Sequence, residues 1–296
     1  MSQRLLVPLD QSHFAEFALA RAGSIVRSGD RVTLATVIDT LPDYPEYAQP
    51  LRKGVEAYHA EVGKRFFGPD VTVRSEVIRG RPDTELVRLL KQVEYDLVVA
   101  ATHGRGPFSR LWMGSVAYAL ARDAQVPVLL VRPEEATEPE SAVDSRIRTI
   151  TIPLDGSDAA AHALGSLELL RAPENATLHL VRVVVPPDVL PPAYLPVPRS
   201  DHELLEELKE GAAEYLAKAA GDLADKGYGV HTEMPCSSSV ATAIIDTALR
   251  TQSDAIVLSS HGRGGIARAL LGSVSDKVMR AATMPVLLVP VPKDSP

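Results

Sequence analysis

Ala101-Thr-His-Gly104, nine further residues and Gly114-Ser115-Val116 recur as Ser259-Ser-His-Gly262, nine further residues and Gly272-Ser273-Val274. Solenoid units repeat every roughly 20–50 residues. Here the offset is about half of the 296-residue chain, so it marks duplication of a whole domain. Each copy follows a short apolar run, Asp96-Leu-Val-Val-Ala100 or Asp254-Ala-Ile-Val-Leu258, and precedes a segment that can be helical. Strand, glycine-bearing loop and helix N-terminus hold phosphate well, because bare N–H groups and the helix dipole both favour an anion. The chain reads as two nucleotide-sized sites on two copies of one fold.

Working outward, each half opens alike: Arg4-Leu-Leu-Val-Pro8-Leu9-Asp10-Gln-Ser12 matches Thr149-Ile-Thr-Ile-Pro153-Leu154-Asp155-Gly-Ser157. An apolar run ending in Asp and then Ser predicts a buried strand followed by a helix N-cap. Helical spacing follows in both halves, with Phe14, Phe17, Ala18, Ala22 and Ile25 in one and Ala160, Leu164, Leu167 and Leu170 in the other. Second strands are predicted over Val32–Ile38 and Thr177–Val185. A long amphipathic helix is clearest over Ser200–Lys226, with capping-box spacing at Ser200-Asp-His-Glu203 and Gly227 at its close. Third strands (Val71–Ile78, Gly229–Met234), third helices (Asp83–Val93, Ser239–Arg250) and final strands (Val126–Val131, Met284–Val289) complete the pattern.

Strands that alternate with helices and are apolar throughout predict an α/β fold: two tandem copies of an open, mostly parallel five-stranded sheet with helices on both faces. Right-handed crossovers put all strand C-termini on one edge, and ligands bind there where strand order reverses. The expected division is a first domain over 1–133, a linker over 134–146 and a second domain over 147–296. Glu134–Ser145 carries five carboxylates among small residues, as a solvated linker would. Pro186–Pro198 holds six prolines and reads as a stiff connector or as a lid over the second site.

Composition narrows the partners. Apolar residues make up 45% and aromatics 5%, as expected of Ala-, Val- and Leu-rich strands between helices. A net charge of -7 argues against a nucleic-acid or anionic membrane partner. The one cysteine, Cys236, rules out an internal disulfide framework. Met1–Asp10 has no signal-peptide core and no run is long enough to span a bilayer, which predicts a cytoplasmic protein.

Taken together, the strand-Pro-x-Asp opening, the Ser/Thr-His-Gly loop, the nine-residue spacing to Gly-Ser-Val and the closing Pro-Val-Leu-Leu-Val strand resemble the universal stress protein family in its tandem form. The resemblance covers nearly the whole chain and is most specific over Ser260–Val274. Its ATP-binding branch carries Gly, two residues, Gly, nine residues, then Gly and Ser or Thr. Here the second and third glycines stand in both halves, and the first is replaced by Ala101 and Ser259. Both are small enough for backbone to approach phosphate. A positive φ at that position would strain each by about 1 kcal/mol.

The resemblance implies an adenine-nucleotide-binding, Rossmann-like site in each half, taking ATP or another adenine nucleotide with Mg. Pro8, Leu9 and Asp10, and likewise Pro153, Leu154 and Asp155, would face the adenosine. Main-chain groups of Val37 and Val183 would read the adenine edge. The loops Ala101, His103, Gly104, Arg105 and Ser259, His261, Gly262, Arg263 would wrap the phosphates. Gly114, Ser115 and Val116, with Gly272, Ser273 and Val274, would close the clasp at the next helix start, where a Cβ on either glycine would intrude on phosphate. It further implies an internal pseudo-dimer through the closing strands, with association into homodimers left open, and a protein partner the sequence does not name.

Plainer roles stand beside these. The glycines also suit turns and caps, Asp10 and Asp155 can cap their helices, Ser115 and Ser273 are N-cap-like, and Trp112 suits packing. His103 and His261 lack a second ligand at metal spacing. Gly262-Arg-Gly264-Gly-Ile-Ala267 fits a dinucleotide fingerprint but does not follow a first strand, and no P-loop occurs. The leading reading is a stress-response protein that binds ATP and acts through nucleotide-dependent regulation or partner binding. Slow ATP hydrolysis or phosphotransfer, and a nucleotide-free dimeric interaction module, are the alternatives.

Overall fold

The computed structural model describes residues 2–39, 45–102, 113–133, 138–139, 146–186, 201–261 and 271–291. The expectations for His103, Gly104, Arg105, Trp112, Gly262 and Arg263 lie outside the described residues, as do Ser200, most of the acidic linker and the proline-rich segment from Pro187 on. The chain divides into two compact units: Met1–Arg146 with Leu169–Arg171 and Pro285–Pro296, and Ile147–Glu168 with Ala172–Met284.

Unit 1 runs β1 (Arg4–Pro8), α1 (His13–Ile25), β2 (Arg31–Ile38), α2 (Pro45–Phe66), β3 (Thr72–Arg79), α3 (Pro82–Gln92), β4 (Leu97–Ala101), α4 (Ser115–Asp123) and β5 (Val128–Val131). These strands are parallel in the order β3-β2-β1-β4-β5. The chain winds outward from β1 through β2 to β3, then restarts on the other side at β4. The order therefore reverses between β1 and β4, and the C-terminal ends of these two strands flank a crevice. Leu5, Leu6 and Val7 are wholly buried, as are Leu97, Val98 and Val99, which explains why the central strands read as unbroken apolar runs. Edge strand β3 is largely exposed, with no fully buried residue. Helix α1 turns Ala15, Ala18, Ala20 and Ala22 inward, small residues that let its backbone lie close to the sheet.

Unit 2 repeats the plan with β6 (Thr149–Pro153), α5 (Asp158–Leu164), β7 (Thr177–Val181), α6 (Asp201–Ala224), β8 (Gly229–Glu233), α7 (Val240–Arg250), β9 (Ala255–Ser259) and α8 (Ser273–Ala281). Its parallel order is β8-β7-β6-β9, with the reversal between β6 and β9. The closing strand β10 (Val286–Val289) belongs to unit 1. There it lies antiparallel to β5, with Leu287 opposite Leu129. Each half of the sequence contributes five strands to a mostly parallel sheet, as the alternating pattern predicts, although the last strand of the second half lies in unit 1.

Several boundaries differ from the sequence expectations. The helix expected to carry Leu167 and Leu170 tightens after Leu164 into a 3-10 stretch, Gly165–Leu170, which still buries both leucines. A glycine favours helix less than any residue but proline, so the α-helix ends there. The second strand of unit 2 stops at Val181 rather than Val185, with only one further bridge, Val184 to Cys236. Both closing strands begin two residues late, because Pro127 and Pro285 lack the N–H that a ladder needs. Gly227 closes α6 as expected, at φ +93. Among the described residues no helix is long and apolar enough to cross a membrane.

Candidate functional site

In each unit the described residues among those predicted lie toward the strand C-terminal edge, where strand order reverses. Pro8, Leu9 and Asp10 end β1, Ala101 ends β4 and Val37 lies at the end of β2. Pro153, Leu154, Asp155, Ser259 and Val183 hold the matching places in unit 2.

The turn after the first strand explains the paired Asp and Ser residues. Asp10 Oδ1 accepts from the Ser12 backbone N–H at 3.0 Å and from the Ser12 hydroxyl at 2.5 Å. Ser12 Oγ in turn accepts from Ala15 N–H at 3.2 Å, as the N-cap of α1. Asp155, Ser157 and Ala160 repeat this at 3.0, 2.6 and 3.2 Å. The residue between must turn left-handed: Gly156 does so at φ 83 and Gln11 at φ 62. The carboxylates therefore do structural work, each orienting the serine that caps its helix.

Backbone direction can be read from neighbouring bonds. Leu9 N–H donates to Ala35 O at 2.8 Å, while Gly80 N–H donates to Ile38 O at 3.2 Å. Alternation along β2 then turns the main-chain groups of Val37 the same way as those of Ala35, into the space past the end of β1. In unit 2, Leu154 N–H donates to Val181 O at 2.8 Å, and Arg182 and Val184 bond toward β8. Val183 is turned like Val37.

The clasp glycines cap helices, one of the roles their sequence offered. Gly114 and Gly272 are the N-caps of α4 and α8, at φ -59 and -58 with no side-chain cap. Ser115 and Ser273 sit one position inside the helix and are exposed, so they are not the caps. Gly114 N–H donates to Thr102 O and Gly272 N–H to Ser260 O, both at 2.8 Å, which ties each helix start to the loop leaving the motif strand. A Cβ on Gly114 would meet Thr102 O at 3.3 Å, and one on Gly272 would meet Ser260 O at 3.1 Å. Two backbones approach closely at these glycines, and the first atom a Cβ would meet is a carbonyl oxygen of the protein, tightly in both units. Ala101 and Ser259 are not among the residues with positive φ, so the replaced first glycine carries no strain of that kind.

The second site has a hydroxyl network. Ser259 Oγ donates to His261 O at 2.5 Å, Ser275 Oγ donates to Ser259 O at 2.8 Å, and Ser260 Oγ pairs with His261 Nδ1 at 3.0 Å. Among the described residues, His261 Nε2 is buried with no hydrogen-bond partner. The first site has Ala101 and Ala117 where Ser259 and Ser275 stand, so the two clasps are not equivalent.

The sequence reasoning missed two polar residues behind the first site. Thr36 donates its hydroxyl to Leu9 O at 2.9 Å and also contacts His59 Nε2 at 2.9 Å; both side chains are buried. Burial holds the His59 pKa down at about 4. The signal was present: His59 shares a helix face with Val55, Val62 and Phe66, a stripe that is otherwise apolar and buried.

The profile of the universal stress protein family matches residues 1–132 and again 146–290. A universal stress protein of Methanocaldococcus jannaschii is 35% identical over 146 residues, covering 49% of this chain and 84% of its own length. One from Mycobacterium tuberculosis is 25% identical over 257 residues, covering 83% of this chain and 80% of its own. Among solved structures, a universal stress protein from Archaeoglobus fulgidus has the same fold at a TM-score of 0.70 and 18% identity, covering 100% of this chain and 98% of that one.

Proposed function

The chain belongs to the universal stress protein family, and we propose that it binds an adenine nucleotide, ATP with Mg²⁺, in the crevice of each unit. The observation that carries this reading is the repeated clasp. In both units an uncapped helix N-terminus, Gly114-Ser115-Val116 or Gly272-Ser273-Val274, is tied by one backbone bond to the loop leaving the strand at the reversal point. Uncapped N–H groups and the positive end of the helix suit phosphate oxygens, and the Ser115 and Ser273 hydroxyls add a donor. His261 Nε2 strengthens the case in unit 2. A buried ring nitrogen without a partner costs roughly 1–3 kcal/mol, and a phosphate oxygen would satisfy it. The turned main chain of Val37 and Val183 offers a donor and an acceptor for a base edge. Pro8, Leu9 and Asp10, with Pro153, Leu154 and Asp155, wall the adenosine side.

The bound nucleotide would act as a signal, changing the surface offered to a protein partner in the cytoplasm. Isothermal titration with ATP and Mg²⁺, paired with native mass spectrometry, tests the binding. Up to two nucleotides per chain are expected. No heat and no mass shift at millimolar ATP would reject the reading.

A further inference from the structure

We propose that His59 is a positioning residue of the first site: through Thr36 it fixes the carbonyl of Leu9, and with it the Leu9–Asp10 wall, for nucleotide binding in unit 1 alone. This rests on the nucleotide-binding reading above. The proton directions follow from the geometry. Thr36 has one hydroxyl proton, and it goes to Leu9 O at 2.9 Å. His59 Nε2, 2.9 Å from the same oxygen, must therefore be the donor in that pair. His59 Nδ1 is then the acceptor, 2.7 Å from the Ser75 hydroxyl. One chain of bonds runs from Ser75 on edge strand β3, through the ring on α2 and Thr36 on β2, to the last carbonyl before Asp10. Burial favours the neutral ring, in which the Ser75 hydroxyl donates to Nδ1 and each proton of the chain has one acceptor.

The device belongs to one unit. Residue pairing across each sheet sets Ala35 beside Pro8 and Val181 beside Pro153, so Arg182 holds the place of Thr36. Its guanidinium lies 5.3 Å from the Tyr215 ring centre, a cation–π contact in place of a hydroxyl relay. The second unit has no threonine at this place, so its site serves as an internal control.

Hydrogen exchange with mass spectrometry, with and without ATP and Mg²⁺, tests this on the full chain. Variants are Thr36→Val, which keeps the side-chain shape, Thr36→Ser, His59→Leu and His59→Gln. In the unliganded protein, Thr36→Val and His59→Leu should speed exchange over residues 9–12 and leave 154–157 unchanged. ATP affinity at the first site should fall about tenfold, the effect of one lost buried hydrogen bond. Second-site affinity should hold. Thr36→Ser and His59→Gln restore a hydroxyl or an amide donor and should recover most of the loss, which a packing defect would not do. Unchanged exchange over 9–12 in Thr36→Val, or equal losses at both sites, would overturn the proposal. If the unmodified protein binds no ATP, the functional reading fails, while exchange over 9–12 still decides the positioning role. Circular dichroism confirms that each variant is folded, and Thr36→Val decides alone if His59→Leu is not.

Discussion

Replacing Asp155 separates a structural carboxylate from one that only meets ligand. Asp155 Oδ1 accepts two hydrogen bonds, from Ser157 N–H and Ser157 Oγ, and the second leaves the serine lone pair aimed at Ala160 N–H. Asp155→Ala removes both. Each bond nets about 1 kcal/mol in a half-exposed turn, with more from the charge and up to ~1 kcal/mol from a loosened N-cap. The expected loss is about 2–3 kcal/mol. Asp155→Asn keeps the accepting oxygen and gives up only the charge, so it should lose roughly 1 kcal/mol. Urea and thermal unfolding without nucleotide are the measurements, because a bound ligand would add its own stabilisation. For a unit of this size the alanine variant should melt about 5–10 °C lower in the transition that reports unit 2. Asp10→Ala should do the same to unit 1, where Ser12 and Ala15 repeat the geometry. Unaltered stability in both alanine variants would refute the capping role and leave the carboxylates to the ligand.

The left-handed residue of the same turn gives a pair of opposite signs. Gln11→Gly should stabilise unit 1 by about 0.5 kcal/mol, the relieved strain less the freedom glycine gains when unfolded, and Gly156→Gln should destabilise unit 2 by a similar amount; changes of the same sign would contradict the argument. Gly272→Ala should weaken ATP binding in unit 2 by about tenfold, more than Gly114→Ala does in unit 1, because its Cβ meets Ser260 O at 3.1 Å against 3.3 Å for Thr102 O. Titration calorimetry checks the order, and equal or absent effects would show that the clasp does not depend on this approach. His59 makes unit 1 sensitive to acid. Its folded pKa lies at about 4 against an ordinary 6.5, so its contribution is complete above pH 6.5 and is lost as pH falls toward 4, when the unfolded chain takes up a proton the folded one refuses. The loss is on the order of 3 kcal/mol, and a pH series of urea midpoints should be flatter in that window for His59→Gln.

Much of the fold was legible because burial on both faces leaves a plain trace. Leu5-Leu-Val7 and Ala255-Ile-Val-Leu258 have no polar residue to alternate with, and a parallel sheet covered by helices, between helical segments, hides such runs. The ends were less legible. Pro127 reads as part of an apolar run, yet it contributes only its carbonyl, which accepts from Val98 N–H at 2.9 Å, and the strand proper starts one residue later. Gly165 offered a hint that the α-helix would not continue to Leu170, but the leucine spacing suited helix as well as the 3-10 turn that forms.

The candidate site was legible as a set of places on the sheet edge and not as a set of bonds. Strand ends and glycine spacing located Asp10, Val37 and Gly114, since topology alone brings strand C-termini to one edge. Which way each group is spent depends on contacts that no linear spacing encodes. Asp10 turns back on Ser12, two residues on, whereas Thr36 reaches across the sheet to Leu9 and into α2 for His59. Those last residues are 27 and 23 positions apart in the chain, and the sequence marks them only as a hydroxyl in a buried strand and a histidine on an apolar helix face. Neither sign is rare enough to identify a partner. The two together, on elements that the topology stacks, identify one. The absence of the pair from unit 2, where Arg182 lies over Tyr215, is what turns a buried polar contact into a difference between sites. Both halves keep the same backbone tie at Gly114 and Gly272, while the side chains behind it differ. The asymmetry between the two crevices is therefore to be sought in the second layer, at Thr36, His59 and Arg182, before it is sought in the glycines that both halves share.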